Sequence, residues 1–117
     1  MSDAFELFNE LDEALDRTAE LVSDMHVLGR KKSEAEKAYR VAKQRRILFE
    51  RTQNNTPVSI IADVVKGYED IAELAFRRDC AQTDYDANYE AILFWKKKVD
   101  VLREQLQREW AQSREAI

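Results

Sequence analysis

The chain has 117 residues, 36% charged and 44% hydrophobic, with two glycines, one proline and one cysteine. That length points to one domain, and so few turn formers exclude the many tight turns of a β-sandwich or barrel. A lone Cys80 excludes an intramolecular disulfide or CxxC site, and the isolated Gly29 and Gly67 exclude a glycine-rich phosphate cradle.

What remains is an all-α fold. The expectation is a single domain over 1–117: a long antiparallel helical hairpin, coiled-coil-like, with one helix over 3–52 and a turn over 53–57. A second helix covers 58–114, broken near Gly67 to leave a short helix after the turn. The first residues are acidic, unlike the basic start of a secretory signal. No apolar run approaches the roughly 20 residues of a membrane span. A cytoplasmic protein with no membrane contact is expected.

In the first helix, apolar positions recur by threes and fours through Leu11, Leu15, Thr18, Val22, Met25 and Leu28, then Ala35, Tyr39, Ala42 and Phe49. The spacing averages 3.5 residues, the coiled-coil period, and Lys32 and Arg46 interrupt it. Gly29 is a place where this helix could kink. The stretch Thr52-Gln53-Asn54-Asn55-Thr56-Pro57 concentrates the turn signals, with Thr56 as N-cap and Pro57 as first residue of the second helix.

The second stripe runs through Ile61, Val64, Tyr68, Ile71 and Ala75, meets polar breaks at Arg78 and Gln82, and resumes at Tyr85. It continues through Tyr89, Ile92, Trp95, Val99, Leu102, Leu106 and Trp110. A short connection makes neighbouring helices antiparallel, and a turn near residue 55 pairs position i with about 111 − i.

The net charge of −4 is unevenly spread. Residues 1–29 hold eight acids and one base (−7), and 30–56 nine bases and three acids (+6). Residues 57–94 hold eight acids and three bases (−5), and 95–117 six bases and four acids (+2). In the hairpin register the acids of 3–16 face Lys96, Lys97, Lys98, Arg103 and Arg108, and the bases of 30–51 face Asp63, Glu69, Asp70, Glu73 and Asp79. Each surface pair contributes under about 1 kcal/mol, yet together they disfavour slipped pairings.

A two-helix hairpin covers each stripe on one side only, and Phe5, Phe8, Phe76, Phe94 and the tips of Trp95 and Trp110 lie off the seam. The expectation is that hairpins pair into a four-helix homodimer, or that one hairpin binds another protein. The contact residues are Leu93, Phe94, Trp95, Trp110 and Phe76, because aromatic residues dominate interface energetics.

No enzymatic chemistry is legible, and no catalytic, metal or cofactor residue is expected. His26 is the only histidine, and its neighbours Ser23 and Asp24 crowd one helical turn, which cannot build a catalytic triad. Cys80 has no partner histidine and reads as a small buried side chain. The carboxylates Glu10, Glu13 and Asp16 share one face, as do Glu69, Asp70 and Glu73, but the hairpin register holds the two groups far apart. The alternative function is an accessory DNA- or RNA-binding protein using Arg40, Lys43, Arg45, Arg46 and the run Lys96, Lys97 and Lys98 beside Trp95. The negative total charge opposes it.

The segments Glu36-Lys37-Ala38-Tyr39-Arg40-Val41-Ala42-Lys43 and Ala72-Glu73-Leu74-Ala75-Phe76-Arg77-Arg78 stand with Tyr85, Tyr89-Glu90-Ala91, Lys96-Lys97 and Val101-Leu102-Arg103-Glu104-Gln105. In these the chain resembles a group of small phage and prophage helical-hairpin proteins over residues 30–113. The resemblance implies action by binding other proteins, in the setting of replication or recombination.

Overall fold

A computed structural model describes residues 3–115 and contains three helices: α1 (Ala4–Thr52), α2 (Val58–Lys66) and α3 (Glu69–Glu115). The fold is an all-α helical hairpin: α1 and α3 are the long helices and α2 is the short one between them. The expected residues 1–2 and 116–117 of the domain lie outside the described ones.

Long uninterrupted α1 follows from its content of Ala, Leu, Glu, Lys and Arg, all strong helix formers. Asp3 caps its start, its carboxylate accepting the Glu6 N–H at 2.8 Å. Gly29 does not interrupt it; α1 continues through that position. α1 ends at Thr52, and in the loop that follows Asn55 takes a left-handed φ of 50°, a conformation asparagine tolerates. The Gln53 and Thr56 N–H groups then bond back to the Phe49 and Glu50 carbonyls.

Thr56 does not cap α2. Pro57 occupies the cap position without a side-chain bond, and the Thr56 hydroxyl instead donates to Glu50. Gly67 ends α2 at φ −80°, where tight i−3 bonds from Gly67 and Tyr68 to Val64 and Val65 divide α2 from α3.

The described residues form two compact units, one from residues 3–26 with 87–115 and one from 27–86. The first is built on Leu7, Ala14, Val99 and Leu102, with Leu11, Trp95 and Leu106 packed against them. Here the Asn88 amide donates to the Leu21 carbonyl at 2.9 Å and lies 3.3 Å from the Met25 sulfur.

The second unit is built on Tyr39, Ile61, Val65 and Ile71. Contacts between its α1 and α3 stretches, Gly29 with Tyr85, Glu36 with Arg78 and Arg46 with Asp70, run antiparallel. Their residue numbers total 114 to 116, a register three to five residues beyond the expected 111. The reason is α2: it is a separate helix whose Ile61 and Val65 pack with Tyr39 of α1 and Ile71 of α3, rather than serving as the first turns of α3.

The buried stripes differ from the expected ones by one residue at several places. Ala14 (1% exposed) is buried and Leu15 (45%) is not. Leu21 lies inside rather than Val22, Glu50 rather than Phe49, and Val65 rather than Val64. The polar breaks are part of the seam. Lys32 sits 4.5 Å over the Tyr85 ring, Arg46 4.5 Å over Tyr68 and Arg78 4.2 Å over Tyr39. Each aliphatic stem continues the apolar surface while the charged head rests on a ring face.

The charge blocks make few direct contacts. Among the described residues only Arg46–Asp70 (3.1 Å) and Arg78–Glu36 (3.9 Å) join α1 to α3, and the other ion pairs lie within one helix. Spacing at i, i+3 and i, i+4 offers charges a nearer partner on their own helix.

Candidate functional site

In the first unit the buried positions define a heptad register. Ala4, Leu11, Thr18 and Met25 take position a on α1, and Leu7, Ala14 and Leu21 take position d. On α3, Ile92, Val99 and Leu106 take a, and Asn88, Trp95, Leu102 and Glu109 take d. This register sorts the remaining side chains onto two flanks of the seam.

The first flank is apolar on α1. Phe8, Leu15 and Val22 repeat every seven residues at position e, one place after the buried Leu7, Ala14 and Leu21, and all three are exposed. Position e of α3 supplies Tyr89, Lys96, Arg103 and Trp110, with Leu93 beside them. Phe5, Phe8 and Trp110 meet with Ala4 and Ser113 around an open cavity of about 360 Å³. At about 150–250 Å² per aromatic side chain, these three rings at 74%, 58% and 59% exposure present on the order of 400 Å². A patch of that size is on the scale of the largest apolar patch of a typical monomer, which is often functional.

The α1 acids avoid this flank. Asp3, Glu6, Glu10, Glu13, Asp16, Glu20 and Asp24 all take positions c, f or g, on the other side of the helix, and only Asp12 borders the apolar column. Charged and apolar residues are thus separated around the circumference of one helix.

The opposite flank is mixed. Phe94, Val101 and Leu102 line a groove of about 470 Å³ with Glu10, Lys97, Lys98 and Gln105. Phe94 stands edge-on to Trp95 at 5.6 Å.

The five expected contact residues therefore do not form one surface. Leu93 and Trp110 lie on the apolar flank, and Phe94 lies on the mixed one. Trp95 is half-buried in the core of this unit, and exposed Phe76 belongs to the other unit. Phe5 and Phe8, expected off the seam, complete the apolar flank with Leu15, Val22 and Tyr89, which the spacing assigns to the seam and the structure leaves exposed. Their signal is present in the sequence: two adjacent apolar residues at each heptad step, Leu7-Phe8, Ala14-Leu15 and Leu21-Val22. One column of such a doublet closes the hairpin and the other is left over.

The basic residues are scattered. Lys96, Lys97 and Lys98 are consecutive and point to different sides of α3 in the first unit, whereas the other four belong to the second. There Arg40 pairs with Glu36 at 2.8 Å and Arg46 with Asp70. Lys43 lies 5.7 Å from the Tyr39 ring centre, and Arg45 is exposed. Arg78 lines a groove with Lys32, Lys37 and Arg40, but Glu36 and Asp79 line it too. The hydrogen bond to Asp79 raises the Arg78 pKa against the opposing effect of its partial burial, so this cation stays charged.

Cys80 is exposed, not the buried side chain expected, because it lies off the α3 seam. His26 is exposed as well. Among the described residues no group of three or more histidine, cysteine or acidic side chains is arranged to hold a metal ion. No helix of the described residues is long and apolar enough to cross a membrane. In comparisons with known proteins, no family model, curated protein or solved structure matches the chain.

Proposed function

We propose that this is a non-enzymatic interaction protein whose first unit pairs with a second copy of the chain through the apolar flank, giving a four-helix assembly. The observation that carries the reading is the column Phe8, Leu15 and Val22: apolar, repeated every seven residues, exposed, and kept clear of seven of the eight neighbouring acids. A helix that pairs with one partner needs apolar residues at a and d only, while a helix packed among three others buries a third column. A stable interface buries about 800 Å² per partner. Leu15, Val22, Tyr89, Leu93 and the stems of Lys96 and Arg103 extend the aromatic patch toward that area.

The free thiol of exposed Cys80 suits a reducing compartment such as the cytoplasm. Replacing Leu15 by Glu tests the reading. Leu15 lies outside the intramolecular core, so L15E keeps its helical circular dichroism while its mass in sedimentation falls from dimer to monomer. A variant that remains dimeric refutes the apolar flank as the contact.

A further inference from the structure

We infer that the two copies pair about a dyad parallel to their helices, so that α1 of each lies on α3 of the other. This rests on the self-association proposed above and specifies its geometry. Two twofold arrangements can bring the same flanks together. With the dyad across the helices, α1 covers α1 and α3 covers α3. With the dyad along them, α1 covers α3 at the same height.

Charge decides between the two. In the first unit the α1 stretch, residues 3–26, holds eight acids and one base, while the α3 stretch, residues 87–115, holds six bases and five acids. The crossed dyad stacks a net −7 stretch on another −7 stretch. The parallel dyad sets −7 against +1. Like-charge juxtaposition is a strong discriminator between otherwise similar pairings.

The side chains of the flank agree with that choice. Met25 and Asn88 fix the height of α1 against α3 in this unit. At equal height, Phe5 and Phe8 meet Trp110 of the second copy, and Val22 meets its Tyr89. Asp12 falls between Lys96 and Arg103 of the second copy. Among the described residues neither Asp12 nor Lys96 has an ion-pair partner within the chain. Lys96 and Arg103 stems would cover Leu15 and Phe8 while their heads reach the rim.

Cross-linking between single-cysteine variants tests the geometry, in a full-length Cys80→Ser background with the two chains tagged to differ in mass. Leu15→Cys chains are mixed with Lys96→Cys chains and treated with a short bismaleimide. The inference expects the mixed product to exceed the Leu15→Cys self-product several-fold. A self-product that dominates overturns the parallel dyad and leaves self-association through the flank intact. A dimeric mass with neither product also overturns it, by moving the contact elsewhere. A monomeric mass for the Cys80→Ser protein overturns both the geometry and the self-association on which it rests.

Discussion

Glu50 is the one charged residue among the buried side chains described, 3% exposed in the last turns of α1 beside exposed Phe49. Its carboxylate accepts hydrogen bonds from the Thr56 and Tyr68 hydroxyls, and so ties α1, the loop and the start of α3 together. Removing it strands both hydroxyls, a loss of about 1–3 kcal/mol. Glu50→Ala is therefore expected to lower the urea midpoint more than Tyr68→Phe, which keeps the ring beneath Arg46. Equal losses from Glu50→Ala and Phe49→Ala would contradict the burial of the acid. Periodicity alone points to Phe49 at this place, because only the folded loop supplies the hydroxyls that let a carboxylate lie inside. Gly29 is a simpler case. A Cβ there would stand 3.5 Å from the Tyr85 ring, an ordinary contact, and glycine inside a helix costs about 0.5–1 kcal/mol relative to alanine. Gly29→Ala is expected to raise the thermal midpoint; a fall would show that the ring cannot accept the methyl.

At the scale of the helices, the turn at Asn54–Pro57, the break at Gly67 and the identity of α1 and α3 could be read from punctuation and spacing. The side of α1 that faces the core could not. Leu7-Phe8, Ala14-Leu15 and Leu21-Val22 give two columns with the same sevenfold spacing, and either satisfies the period. The larger side chain is the natural choice at the middle doublet, yet Ala14 is buried. It shares its cluster with the bulky side chains of Trp95, Leu102 and Leu106. The candidate site is partly hidden in the sequence for the same reason: residues that fit the intramolecular seam by spacing are the ones left exposed. Lys32, Arg46 and Arg78 look like interruptions because their tyrosine partners sit on distant parts of the chain. Asn88 is a polar residue at a seam position, bonded to the Leu21 carbonyl. A seam asparagine fixes register at a cost in stability, so Asn88→Leu is expected to raise the urea midpoint. A lower midpoint would mean that the hydrogen bond outweighs the added apolar burial.

For the molecule as a whole, the blocks of alternating charge act less as a ladder of ion pairs than as a constraint on which faces can meet. Only two ion pairs join α1 to α3 among the described residues, and exposed pairs contribute little individually. The same charges leave one flank of the first unit apolar by gathering nearly all its α1 acids on the other side. In the proposed dimer a second copy hides that flank from water, and truncation of Phe8 or Trp110 to alanine is expected to weaken dimerisation by more than about 1 kcal/mol. The direct test is the molar mass of the unaltered protein, measured by light scattering behind size exclusion at micromolar concentration. Self-association through this flank predicts about 27 kDa, twice the 13.7 kDa of one chain. A mass of 13.7 kDa that persists as concentration rises would contradict it.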